Sequence, residues 1–546
     1  MGEDGKALPG PDGAPYRANL AEKLLVLVLA RLFNFIPEAG LWMNTQRPEW
    51  NDANNALVGP GVSMVTLCYL RRFLSLCRGI FGAVDVPAIE VSSEVAEAFH
   101  RVAEALESHT SLLGGPISDQ NRKTVLDSLG NAGSDYRAKL YAHGFSGRQT
   151  ALGVAELAAF CDVALRHIDH SISANRREDG LYHSYNLMKL VNGGIAIRRL
   201  YEMLEGQVAV LSSGALSTRD SVALLDALRG SRLYRTDQNS YILYPDRKLP
   251  GFFEKNNIPA ASIAKSKPLA EMIERGDRCI VVQDLNGVAH FNAALCNGSQ
   301  LKKALQTLGL QDEENARVLA LYEEVFDHQS FTGRSGTFYK YEGLGCIYWH
   351  MVSKLLLAVQ ESLNQAAEAS CAADVIERLI RHYREIREGI GVHKPPALYG
   401  AIPTDPYSHT PGFAGVQQPG MTGQVKEDLI SRVGELGVAV ENGRLGFRRL
   451  LVSRGEFLQE ARRFHFYDAG GSDSTLDLGP GTMAFTTCQT PVVAHRSGPQ
   501  RIEITSAGGS RSTVDALDLD AETSAAVFER TGTVRRLDVF FGFEDL

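Results

Sequence analysis

Two of the chain's three tryptophans, Trp42 and Trp50, fall in one short stretch, WMNTQRPEWNDANNAL, from Trp42 to Leu57. Glu49, Asp52 and four asparagines share it, Asn51 and Asn54 among them. These residue types suit a sugar ring. An indole stacks on the apolar face of a pyranose, amides hydrogen-bond its hydroxyls, and a carboxylic acid such as Asp52 can protonate a glycosidic oxygen. Pro48 interrupts the stretch, which therefore reads as a loop running into a helix. The plainer reading is a helix start capped by Asn51 or Asp52, with Trp50 as a packing residue.

A second group lies in Phe331–His350, FTGRSGTFYKYEGLGCIYWH, with Arg334, Tyr341, Glu342 and Trp349. Its glycines permit close backbone approach, and Glu342 near a helix start is also where the helix dipole favours a carboxylate. The third group is Tyr399–Lys426, in which Asp405, Tyr407 and His409 precede Gln417, Gln418, Thr422 and Lys426. Neutral donors with one lysine suit sugar hydroxyls or a phosphate nucleophile, and the adjacent glycines let backbone N–H groups point into such a site. A structural loop covering helix ends is the plainer alternative. Two weaker clusters, at 177–186 and 234–238, are as readily salt-bridged turns. His167 and His170 read as one helix face, and no metal set assembles around them. The chain has no phosphate-binding P-loop, dinucleotide fingerprint or GxSxG elbow.

The elements that must position these groups are mostly helical. Residues 1–16 read as a flexible Gly/Pro leader. Apolar residues at helical spacing then mark Ala18–Phe35, Ser63–Leu76, Glu94–His109, Gly153–Ile172, Arg198–Leu211, Thr218–Leu228, Gln300–Phe326, Ile347–Ala369 and Asp374–Glu388. Short β-like runs at 234–250 and 279–291 read as excursions between helices. Beyond about Leu436 the pattern changes to short alternating runs broken by Gly, Asp and Ser, the rhythm of a small antiparallel β-sandwich. The fold expected is mainly α. An (α/α)6 toroid-like barrel at 17–432 is followed by a C-terminal β-sandwich at 433–546. In a toroid, loops at one end converge on a central pocket.

Composition limits the class. The 546 residues are 44% hydrophobic and 22% charged, as in ordinary globular proteins. Lys plus Arg number 56 against 64 Asp plus Glu, a formal charge of -8, so nucleic acid is not the expected partner. The eight cysteines show no CxxC pair, and no apolar run is long enough to cross a bilayer. A cytoplasmic chain with reduced thiols and no membrane partner is expected.

The EWNDANNAL segment resembles the tryptophan–asparagine–aspartate motif of the inverting glycoside phosphorylases that cleave cellobiose and chitobiose, relatives of the (α/α)6-toroid glycoside hydrolases. The resemblance implies that Asp52 is the general acid. It also implies a helical toroid followed by a C-terminal β domain. That family carries a large β-sandwich ahead of its barrel, whereas here the motif comes early. Association with a separate N-terminal region or a second subunit is the corresponding expectation.

Inverting cleavage needs an acid for the leaving oxygen and a nucleophile on the opposite face. In a phosphorylase that nucleophile is inorganic phosphate, as co-substrate, and no other cofactor is expected. In a hydrolase a second carboxylate, Glu342 or else Asp405, activates water from about 6.5–9.5 Å away. Trp42, Trp50, Trp349, Tyr341, Tyr407 and His409 would build the sugar subsites. The expected substrate is a β-linked gluco-oligosaccharide, with phosphorolysis slightly preferred over hydrolysis. The rival reading is a non-catalytic carbohydrate-binding or assembly subunit of a larger toroid protein.

Overall fold

The computed structural model describes residues 13–44, 57, 59–245, 252–326, 347–390, 393, 407–410, 418–419 and 424–543. At 252–253, 407–410, 418–419 and 424–425 only the backbone course is described. Among these residues helix predominates over strand, and two compact units separate. One is centred on 252–326; the larger contains 13–44, 59–243 and 347–543.

The larger unit begins with α1 (Leu20–Leu32), where the Asn19 side chain accepts the Glu22 N–H and so caps the first turn. Leu25, Val28, Leu29 and Leu32 recur at helical spacing and are buried, each burial stabilising by about 2 kcal/mol relative to exposure. Next come β1 (Phe35–Ile36), β2 (Gly40–Trp42) and β3 (Gly61–Ser63), joined later by β4 (Tyr185–Val191) and β5 (Gly194–Arg199) in an antiparallel sheet of that order. Gly40 has φ +120°, and a Cβ there would lie 2.6 Å from the Ser63 carbonyl oxygen. Only glycine lets β2 approach β3 so closely.

Among the helices that follow are α2 (Met64–Ala83), α3 (Asp119–His143), α4 (Val154–Ala174) and, after β5, the shorter α5 (Leu204–Ser212). The remaining ones used below are α6 (Trp349–Glu368), α7 (Ala373–Gly389) and α8 (Gln424–Glu435). Side-chain pairs give their directions. Tyr69 of α2 lies under the Lys354 ammonium of α6, and Arg72 pairs with Glu361, so α2 and α6 run parallel. In α6 and α8, His350 meets Glu427, Ser353 meets Asp428 and Gln360 meets the Ser431 carbonyl, again a parallel course. Arg71–Asp169 and Arg78–Asp162 set α4 antiparallel to α2, and α7 turns back after α6 through residues 369–372.

Two expectations for the larger unit need correction. Residues from Arg198 are not one helix: β5 runs to Arg199 and α5 begins at Leu204. The C-terminal sheet is mixed, not antiparallel. Its strands β9 (Thr482–Thr487), β10 (Thr490–His495), β11 (Arg501–Ser506), β12 (Arg511–Val514) and β13 (Val534–Phe540) lie in the order β9-β10-β13-β11-β12. β13 inserts between β10 and β11, parallel to the first and antiparallel to the second. The helix Ala521–Phe528 supplies the crossover that brings the last strand back into the sheet centre. Leu537, Val539, Ile502, Val492 and Phe447 fill the core beneath it.

On the face away from that core, Asp538 of β13 takes hydrogen bonds from His495 and Arg536. Burial raises its pKa, but those two partners outweigh burial and hold the carboxyl below the usual aspartate range. A depressed folded-state pKa stabilises above the unfolded value, about 3.9, and the gain is lost as pH falls through the folded value. Asp538→Asn is therefore expected to flatten the stability–pH curve below about pH 4, read from urea midpoints between pH 2 and 7.

The smaller unit has its own core. Helices Lys267–Arg275, Gly298–Thr307 and Asp312–Phe326 pack with the hairpin Val281–Gln283/Ala289–Phe291. Leu269, Ile280, Val281, Phe291, Leu301, Leu305, Val318 and Tyr322 meet inside it. The helical run expected at Gln300–Phe326 is two helices, broken at Gly309 with φ +64°.

Candidate functional site

Asp52 falls in the sequence between the paired strands β2 and β3. Met43 N–H donates to the Gly61 carbonyl and Gly59 N–H to that of Met43, at 2.9 and 2.8 Å, so the chain on either side of 45–58 is tied together. Trp42 strengthens this base: its indole Nε1–H donates to the Gly59 carbonyl at 2.6 Å while the ring packs against Ile36, Ala39 and Val62. Trp50, Asn51, Asp52 and Asn54 lie outside the described residues.

Beneath the hairpin sits a buried polar network. Glu38, in the turn between β1 and β2 at φ 59°, places one carboxylate oxygen 2.6 Å from Arg122 Nη2; the other accepts Ile117 N–H at 3.0 Å. Asn175 donates to the Glu38 carbonyl and Asn186 to the Ala39 carbonyl, each at 2.8 Å. Asn186 belongs to the polar cluster noted at 177–186. Most of that cluster is a turn closed by Arg177 and Asp179, and residues 234–241 form a similar one closed by Arg235 and Asp237. His167 donates its Nε2–H to the Leu106 carbonyl at 2.8 Å and packs as a core residue.

The second and third groups meet in one small sheet. β6 (Ile347–Tyr348) pairs with β7 (Tyr407–Thr410), which pairs with β8 (Gln418–Pro419). Tyr348 stands opposite His409, and His409 opposite Gln418. Two regions some sixty residues apart in the chain thus share a backbone ladder at His409 and Gln418. Arg334, Tyr341, Glu342, Asp405, Gln417 and Thr422 lie outside the described residues, as do the side chains of Tyr407, His409 and Gln418.

Each carrier leads into a helix: β3 into α2, β6 into α6, and β8, through residues 420–423, into α8. α2, α6 and α8 are parallel, so the described strands β3, β6 and β8 stand at one end of the same helix set. Contacts at that end are polar. Tyr69, Lys354, His350, Glu205 and Glu427 all belong to the first two turns of their helices. Glu205 and Glu427 are buried, at positions where helix N-termini favour negative charge. Burial lowers the Lys354 pKa, and the Glu427 carboxylate opposes that shift. His350 is likewise lowered by burial and partly restored by Glu427, whose Oε2 lies 3.2 Å from Nε2, off the hydrogen-bond axis. Tyr69 is 37% exposed, and burial of the rest of the ring pushes its phenol up to about 12. Lys426 is exposed on the first turn of α8, 3.9 Å from Glu427 Oε1.

One expected subsite residue is corrected. Trp349 is 1% exposed and packs in the helical core, so its ring offers no open face to a sugar in this arrangement. His350, Lys354, Glu205 and Glu427 were missed, because in sequence they look like ordinary polar residues in amphipathic helices. The only signal was their place in a first helical turn, which capping explains equally well.

Residues 249–329 match the family model described as GH149 phosphorylase insertion domain 2. No curated protein matches the chain. The matched stretch contains all the described elements of the smaller unit, from the short helix at Phe252–Lys255 to the helix ending at Phe326. The match supports a glycoside phosphorylase and a role in carbohydrate metabolism. Among the described residues no helix is long and apolar enough to cross a membrane.

Proposed function

We propose that the chain is an inverting glycoside phosphorylase acting on a β-linked gluco-oligosaccharide. The observation that carries this reading is the smaller unit. A self-contained core interrupting a helical unit coincides with the match to a phosphorylase insertion domain. The parallel course of α2, α6 and α8, with antiparallel α4 and α7 beside them, supports the expectation of an (α/α)6 toroid.

In this reading Asp52, presented by the β2–β3 hairpin, protonates the glycosidic oxygen as the bond to the anomeric carbon breaks. Phosphate attacks that carbon from the opposite face, so a β-linkage yields an α-sugar 1-phosphate. Trp42 with Trp50 holds the sugar, and the β6–β7–β8 sheet brings His409 and Gln418 to the same end of the helices. Gln417, Thr422 and Lys426 complete the donors to sugar hydroxyls and phosphate. No second carboxylate is required, since phosphate arrives as a nucleophile.

The test is a panel of β-linked gluco-disaccharides incubated with and without inorganic phosphate. Sugar 1-phosphate is expected only with phosphate, and free reducing sugar from both rings regardless of phosphate would place the chain among hydrolases. No turnover of any substrate, with glycan binding retained, would favour a binding subunit.

A further inference from the structure

We propose that Glu427 is a positioning residue of this site, acting through His350 and Tyr348 to fix the sheet that bears His409 and Gln418. The inference rests on the glycoside phosphorylase reading for its kinetic consequence, but its geometry stands on described residues alone. Glu427 lies in the first turn of α8, 5% exposed, with its carboxylate against the His350 imidazole of α6. His350 is itself 3% exposed, and its other ring nitrogen, Nδ1, is 3.4 Å from the Tyr348 hydroxyl. Tyr348 is the β6 residue paired with His409, which is paired in turn with Gln418 of β8. The sequence then passes from β8 through 420–423 back to α8 and Glu427.

The chain therefore closes a loop on itself: α8 to α6 through Glu427 and His350, α6 to β6 through Tyr348, and β6 to β7 and β8 through the ladder. The carboxylate is turned to the buried His350 imidazole and not to solvent. Its partners decide where the backbone of β7 and β8 stands relative to the helix starts.

Variants separate positioning from general stability. Glu427→Ala removes the carboxylate, whereas Glu427→Gln keeps its shape and an oxygen facing His350. With the full chain, Glu427→Ala is expected to raise the KM for phosphate at least tenfold with kcat at saturating phosphate within threefold of wild type. Glu427→Gln should recover the KM to within threefold. Loss of kcat together with both KM values, in proportion to a fall in Tm, would overturn the proposal in favour of a merely structural pair. If the wild-type chain shows no phosphate-dependent turnover, the functional reading fails first. The pair is then judged by 15N NMR of the imidazole of His350, assigned with His350→Gln. A shift of that signal in Glu427→Ala is expected, and an unchanged signal would overturn the positioning role.

Discussion

Asp52→Asn is expected to lower kcat/KM on an unactivated β-linked disaccharide about a thousandfold, within the range that a positioned general acid contributes. The reason is the leaving group. A sugar hydroxyl is a poor leaving group as an alkoxide, so the glycosidic oxygen must receive a proton while the bond breaks. An asparagine at the same position keeps the volume and one hydrogen bond but has no proton of suitable acidity to give. The defect should therefore depend on the substrate. With an aryl β-glucoside, whose phenolate leaves without help, the loss should shrink to about tenfold or less, since general-acid assistance is the part removed. Steady-state kinetics on both substrates check this. An equal loss on both would assign Asp52 to binding or folding, and an unchanged rate would remove it from the mechanism.

Arg122→Ala is expected to have the largest effect on stability, about 3–5 kcal/mol, the usual result of deleting one partner of a buried ion pair. Arg122 reaches from the first turn of α3 to Glu38, and their side chains are 14% and 8% exposed. Without the guanidinium the Glu38 carboxylate remains buried beneath the β1–β2 turn, where Glu38 already holds φ 59°. Its remaining contacts, the Ile117 N–H and His170 at 3.5 Å, do not replace a 2.6 Å charged partner. Arg101 offers a contrast. It pairs with Asp135 at the same 2.6 Å, but both are exposed, and Arg101→Ala should cost about 0.5 kcal/mol or less. Urea denaturation of the two variants decides the matter, and similar midpoints would mean that Glu38 needs no counter-charge. Because the β2–β3 hairpin grows from this turn, activity of Arg122→Ala should fall at urea concentrations below the unfolding midpoint.

Much of the helical framework was legible, because burial writes a periodicity into sequence. The apolar spacing of α2, α4, α6 and α7 located each within a few residues, apart from the last two turns of α2. By contrast, α3 escaped notice. It carries Gly130 and Gly133 in its interior, and its polar residues run almost all round. Gly133 is there for packing, since a Cβ would fall 2.4 Å from the Phe33 ring. That requirement comes from another part of the chain and leaves no local pattern. The C-terminal strands were readable from their alternation, but the central position of β13 was not. Strand order depends on long-range pairing, and alternation of side chains is the same in parallel and antiparallel neighbours.

The site was legible as residue types and not as partners. Aromatic and acidic density drew attention to 42–57, 331–350 and 399–426, and the described strands of the last two do pair. Density also misled: Trp349 is large and follows three tyrosines, Tyr339, Tyr341 and Tyr348, yet it is buried in the helical core. The buried set of Glu205, His350, Lys354 and Glu427 carried no such density. Each is a single polar residue among apolar ones, and only the parallel packing of α2, α6 and α8, with Glu205 near Tyr69 and Lys354, gives them a common place. The smaller unit was read as strand excursions between helices because its hairpin is short, and only its separate core distinguishes it.

The central claim is inverting phosphorolysis, and the anomeric form of the first product tests it most directly. A β-linked gluco-disaccharide, phosphate and the full chain should be followed by 1H and 31P NMR from the first minutes, before mutarotation of free sugar. The account predicts α-sugar 1-phosphate appearing in step with one free sugar, and neither in Asp52→Asn. A β-sugar 1-phosphate, or free sugars released at the same rate without phosphate, would contradict it.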